Sequence, residues 1–169
     1  MKLGFVSAIL DTWTYEEMMD FASEHGFECV EVACWPQGKA ERRYAGVRHI
    51  DVEKVLADDE YAKHIVDYSK EKNVEISSLA FYPNTMDGDL EKRASVVEHL
   101  KNVIRASHKL GVGMVTTFIG RDQTKTVEEN LEIVKEVWPP IIKLAEEENV
   151  KSRTARCSSD QISGQVDRI

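Results

Sequence analysis

Basic charge is what this chain has too little of: 22 lysines and arginines stand against 30 aspartates and glutamates, a net charge of -8. Polyanions are drawn to basic fields and repelled by acidic ones, so a nucleic-acid or membrane-surface partner is disfavoured. Cysteine is also scarce. Cys29, Cys34 and Cys157 form no C-x-x-C pair and no disulfide framework, which leaves reduced thiols in the cytoplasm as the expectation. Long apolar runs are missing too: Met1-Lys2 leads into a short apolar segment without the length of a signal peptide or a membrane span. A soluble protein with no membrane partner is expected. Several standard site motifs are absent, namely G-x-x-x-x-G-K-[ST], G-x-S-x-G and H-E-x-x-H. Gly111-Val112-Gly113 precedes an apolar run instead of following one, the wrong context for a dinucleotide loop.

What is there is a repeated strand-helix unit, in a chain of 169 residues that is long enough for one domain with a real core. Residues 2–8 read as a first strand. Thr14-Tyr15-Glu16-Glu17 is a capping box that opens a helix reaching His25, and Gly26 stops it before strand two at 28–33. A long loop-like segment follows. Residues 51–72 are predicted helical, in one piece or two, Asn73 stops them, and 74–79 is strand three. Residues 89–110 form the next helix, with Ala94, Val97, Leu100, Ile104 and Ala106 or Ser107 on its apolar face; Gly111 ends it before strand four at 114–118. Thr126-Val127-Glu128-Glu129 is a second capping box, opening a helix that Pro139-Pro140 should kink or divide. Asn149-Val150 repeats the stop-then-strand signal. Strand-helix crossovers in series imply a parallel sheet, either an open doubly wound one or a barrel.

The chain changes character at Lys151. From Ser152 onward it is polar and aperiodic, with no apolar face to bury. Starting each codon on the last base of the preceding one lets residues 152–157 encode Glu-Asn-Cys-Pro-Met, preceded by Ile or Val. The same shift lets residues 163–169 encode Trp-Pro-Gly-Gly-(Ser or Pro)-Asn. That hidden text resembles the fifth strand and following loop of sugar phosphate isomerases/epimerases of the xylose-isomerase-like TIM-barrel type. The in-frame segments Leu3-Gly4-Phe5-Val6-Ser7-Ala8, Cys29-Val30-Glu31-Val32-Ala33-Cys34-Trp35-Pro36, residues 38–46 and Thr117-Phe118-Ile119-Gly120-Arg121-Asp122 are similar to the same family. The resemblance favours the barrel. A complete (β/α)8 barrel takes about 250 residues, so residues 1–151 are expected to be its N-terminal half, about four strand-helix units. Residues 152–169 are expected to be an out-of-frame, irregular tail.

In such a fold the chemistry sits where strands end and loops begin. After strand two come Trp35 and the basic group Arg42, Arg43, Tyr44, Arg48 and His49, which either attracts a sugar hydroxyl or phosphate or is a solvated loop paired with Glu41 and Asp51. After strand three, Tyr82 and Asn84 offer an aromatic wall and an amide, although core packing and a proline turn account for them equally well. After strand four, Arg121 either reaches the mouth or forms a surface turn with Asp122. Trp35, Arg43, His49, Tyr82, Asn84 and Arg121 are therefore the candidate substrate-binding residues. Glu31, inside strand two, is a ligand, a base or half of a structural ion pair. His25 sits at a helix end and His64, His99 and His108 fall within helices, so no metal set is legible.

The resemblance implies an isomerase or epimerase of a small sugar or sugar phosphate. Its members use a divalent metal (Mn, Mg, Co or Zn) to hold adjacent oxygens while carboxylates move a proton through an enediolate. It puts the metal-binding carboxylate of strand five in the shifted frame between Ser152 and Arg153, with further ligands on strands six to eight. On that ground this chain is expected to bind no metal and to be inactive. Two other readings stay open: a non-enzymatic half-barrel that self-associates through exposed strand edges, and a relative of the metal-dependent endonucleases of abasic DNA, which the acidic charge disfavours.

Overall fold

A computed structural model describes residues 1–36 and 46–154. Among these residues five strands are separated by one or two helices each: β1 (Gly4–Val6), α1 (Tyr15–Glu24), β2 (Cys29–Ala33), α2 (Val52–Ala57), α3 (Asp59–Lys72), β3 (Glu75–Phe81), α4 (Leu90–Lys109), β4 (Met114–Thr117), α5 (Val127–Val137), α6 (Pro139–Glu147) and β5 (Lys151–Thr154). All four strand pairings are parallel and the spatial order is β1-β2-β3-β4-β5. A doubly wound sheet reverses its strand order at a switch point. Strict sequential order without reversal is the winding of a barrel, with the helices on one face and the strands curling around the other.

Local chemistry accounts for the boundaries. The hydroxyls of Thr14 and Thr126 accept from the amides of Glu17 and Glu129, whose carboxylates return the bond, so both capping boxes form. Asp58 caps α3 through two amides, and its extended backbone divides the predicted 51–72 helix into α2 and α3. Pro139 lacks the amide a continuous helix would need, so α5 ends at Val137 and α6 starts afresh with Pro139 in its first turn. The four stops, Gly26, Asn73, Gly111 and Asn149, all have left-handed backbones, with φ of 74°, 54°, 68° and 52°.

Three expectations need correction. Strand one is shorter than residues 2–8, because a 3-10 turn, Ser7–Ile9, takes over where the Ser7 hydroxyl turns to the neighbouring strand. Ala94 is exposed: burial along α4 begins only at His99, beyond the first two turns, and Val103 joins the apolar face. The irregular tail expected from Ser152 starts instead as strand. Residues 151–154 pair with β4, and the Lys151 amide donates to Gly113 O at 3.0 Å. Ladder bonds need only backbone, so the exposed, polar residues 151–153 can extend the sheet without burying an apolar face.

The register assigns each side chain a face. Val32, Leu79 and Val115 share one row and are fully buried against the helices, with the Phe81 ring tilted against His99 of α4 at 4.6 Å between centroids. Ala33, Ala80, Thr116 and Arg153 share the next row, on the opposite, concave face.

Candidate functional site

Glu31, in β2, lies on that concave face beside its register partner Ser78. A carboxylate in a sheet interior must be charge-paired or hydrogen-bonded. Here three hydroxyls do the work: Ser78 Oγ donates to Oε2 at 2.9 Å, Thr116 Oγ1 approaches the same oxygen at 3.0 Å, and the Tyr82 phenol donates to Oε1. No cation pairs with Glu31 among the described residues, so the structural ion pair weighed from sequence is replaced by a neutral hydroxyl cage. Burial, and then the bond to the Glu31 carboxylate, holds the Tyr82 phenol well above its ordinary range, and it stays a donor.

Above this cage stand three rings. Tyr82 lies 5.7 Å from Trp35 and 4.6 Å from Phe118, centroid to centroid, so the ends of β2, β3 and β4 are joined by a continuous aromatic wall. Trp35 also packs at 5.8 Å on Phe81, which is buried core.

A second group occupies the next two loops. Asn84 Nδ2 donates to Arg121 O at 2.8 Å, its Oδ1 accepts from the Met86 amide at 3.0 Å, and the buried Thr85 hydroxyl donates to Ile119 O at 2.6 Å. Gly120 between them has φ 76°, and a Cβ there would overlap the Asn84 amide. The loops thus pinned enclose an open cleft of about 470 Å³ lined by Asn84, Asp87, Asp89, Arg121, Asp122 and Thr124. The amide and hydroxyl of Thr124 hold the Asp122 carboxyl below the usual range. The Arg121 guanidinium is exposed and has no partner among the described residues.

His49 joins neither group. Its Nε2 faces Leu10 O at 3.1 Å and its Nδ1 faces Ser7 Oγ at 3.0 Å, while that same hydroxyl accepts the Ala33 amide at 2.8 Å. A neutral ring that donates from Nε2 to the carbonyl and accepts the Ser7 hydroxyl at Nδ1 completes this chain of bonds. Burial pushes the His49 pKa down accordingly, opposed by the Leu10 carbonyl. Arg48 pairs with Asp51 at 2.8 Å, as the solvated-loop alternative had it. Arg42, Arg43 and Tyr44 lie outside the described residues.

The structure therefore brings Trp35 and Tyr82 together, brings Asn84 and Arg121 together, and leaves His49 as a tie between the turn after β1 and, through Ser7, β2. Ser78, Thr116 and Phe118 were not singled out from sequence. For Ser78 alone a signal exists: Ser78, Ala80 and Tyr82 recur at a period of two, so Ser78 shares the face of Tyr82.

The xylose isomerase-like TIM barrel family matches residues 19–152. No curated protein matches the sequence. Among solved structures, an IOLI protein carrying a bound zinc atom is 18% identical with a TM-score of 0.63, covering 91% of this chain and 51% of that one. D-Psicose 3-epimerase from Clostridium cellulolyticum H10 is 16% identical, TM-score 0.63, covering 90% and 51%. The apo 3-keto-D-glucoside 4-epimerase of E. coli is 11% identical, TM-score 0.66, covering 91% and 55%. At these identities the likeness is one of fold, and the chain spans about half the length of each structure.

Proposed function

Since this chain belongs to the xylose isomerase-like TIM barrel family, we propose that it carries a sugar-recognising face of an isomerase or epimerase barrel, and that its described residues do not perform the metal-dependent step. The observation that supports the reading is the Glu31 hydroxyl cage beneath the Trp35, Tyr82 and Phe118 wall. An aromatic wall covers the C–H face of a sugar ring, and a carboxylate already surrounded by hydroxyls can exchange one of them for a sugar hydroxyl at little cost. The cleft beside it holds one guanidinium, Arg121, against three carboxylates, Asp87, Asp89 and Asp122. That balance favours a neutral sugar over a sugar phosphate.

The family's divalent metal does not fit the residues at hand. A metal site needs several anionic or imidazole ligands converging on one point. No group of three His, Cys, Asp or Glu side chains that could hold an ion occurs among the described residues, and both Glu31 oxygens already accept hydroxyls. Residues 152–169 are proposed to be an out-of-frame sequence, on the strength of the motif in the shifted frame.

Saturation-transfer NMR with D-fructose tests the binding reading. Transfer to ring protons is expected in the native chain. Tyr82→Phe, which removes one hydroxyl from Glu31, is expected to alter affinity by about three- to tenfold. A folded protein giving no transfer would sink the proposal, and tighter binding of fructose 6-phosphate would redirect it to sugar phosphates. In D2O no deuterium should enter the sugar, with or without added manganese.

Self-association is a second reading with its own observation. Leu3, Val6 and Ile9, on and beside the edge strand β1, are 63%, 39% and 57% exposed, and β1 has no second strand neighbour among the described residues. An apolar open edge is a template for pairing with another copy.

A further inference from the structure

Every group bonded to the half-buried Glu31 carboxylate among the described residues is neutral. Its Oε2 has two hydroxyl neighbours, Ser78 Oγ at 2.9 Å and Thr116 Oγ1 at 3.0 Å, whereas its Oε1 has one, the Tyr82 phenol. An ionised carboxylate offers about four acceptor positions, so Oε1 keeps one open. Hydroxyls fill lone pairs without cancelling charge, and a carboxylate withdrawn from water without a cation leaves a negative potential over the surface beside it. Lys151 and Arg153, the cations of β5, are exposed, and neither bonds to it.

The rings over the cage suit the same chemistry. Tyr82, whose phenol touches Oε1, and Phe118, 4.6 Å from the Tyr82 ring, are only half-buried, so part of each stays open to solvent, with the buried Trp35 behind them. A ring face attracts an ammonium group within about 6 Å, more strongly where water is excluded. A neutral sugar gains from the rings but carries nothing that the charge of Glu31 would single out. The net charge of -8 on the chain works in the same direction, drawing cations and turning anions away.

We propose that the ligand of this face is positively charged, an amino sugar in chemical class, with its C–H face on Tyr82 and Phe118 and its ammonium group at the open Oε1 position of Glu31. The inference rests on the sugar-binding reading of the same face and adds the charge of the ligand. The ammonium donates a charge-assisted hydrogen bond to Oε1 without displacing any of the three hydroxyls.

Affinities of the full chain for D-glucosamine, D-glucose and N-acetyl-D-glucosamine, from saturation-transfer NMR titrations at a pH where the free amine is protonated, provide the test. Glucosamine is expected to bind about tenfold more tightly than either neutral sugar, and the margin should shrink in high salt. Glu31→Gln should remove the margin, and Phe118→Leu should narrow it by about two- to fivefold. A native chain that binds glucose as well as glucosamine would overturn the proposal and leave the sugar reading intact, as would a margin that persists in folded Glu31→Gln. A folded chain that binds none of the three sugars would overturn both. Should Glu31→Gln not fold, Phe118→Leu decides, and an unchanged margin there refutes the site.

Discussion

Gly120 and Gly26 both have left-handed backbones, yet the residues around them differ. A Cβ at Gly26 meets nothing within 4 Å, whereas one at Gly120 would overlap Asn84. Gly26→Ala should therefore cost about 1 kcal/mol from backbone strain alone. Gly120→Ala should cost roughly 1–3 kcal/mol more, because the Asn84 amide must give up its bonds to Arg121 O and the Met86 amide. Urea midpoints of the two variants, with their m-values, measure the difference. His49 gives a pH prediction. Its folded pKa lies below the ordinary histidine value, so the unfolded chain binds the proton first as acid is added. The stability that His49 contributes is complete above about pH 6.5 and is lost as the pH falls through and below that value. Comparing urea midpoints at neutral and mildly acidic pH for the native chain and His49→Gln should show a steeper acid loss in the native chain. Equal slopes would mean that the ring is not held neutral. At this scale Trp35 and Tyr82 were legible as site residues because they follow strand ends. Ser78 and Thr116 were not, because a hydroxyl inside a strand looks the same whichever face it occupies until register assigns one.

Many helix ends are set by groups that act within four residues, and among these the two capping boxes and the four left-handed stops were legible in sequence, whereas the Asp51 and Asp58 caps were not. The Thr126 box is one example, with its hydroxyl accepting the Glu129 amide at 3.2 Å and the Glu129 carboxylate accepting the Thr126 amide at 2.8 Å. Thr126→Ala should cost about 1 kcal/mol, read as a lowered thermal midpoint. The lost turn lies at the rim of the Asp122–Arg121 cleft, where Asn130 also ties α5 to the Asp122 backbone at 2.8 and 3.0 Å. Where ends depend on distant partners, sequence failed. β1 stops early because Ser7 bonds to Ala33 and His49, residues far along the chain. The face of α4 starts at His99, where the helix packs near Phe81 of β3 and the ring Nε2 donates to Cys34 O, 2.8 Å away. Neither tie leaves a local pattern.

Among the described residues the sheet is wound in one direction and ends at β1 and β5. The β1 edge is apolar and the β5 edge is polar, so association is expected to run through β1. Sedimentation velocity should find dimers or larger species at micromolar concentration. Val6→Lys, a charge on the edge strand, should shift them towards monomer without changing the helical circular dichroism. A native chain that is monomeric at every concentration would remove this reading.

The sequence by itself determined the alternation of strand and helix, the four left-handed stops, the two capping boxes and the division at the prolines. Each of these is a short-range transaction between neighbouring residues. It also carried the family resemblance, which the match over residues 19–152 upholds. Only the tertiary structure decided that the strands run in sequential order without a switch point, that Glu31 is held by hydroxyls and by no cation among the described residues, that His49 is consumed between the Ser7–Ile9 turn and β2, and that Arg153 shares a face with Thr116. Those facts depend on which strand lies beside which and in what register. Register is fixed by the burial of whole faces, a property that no short stretch of residues possesses.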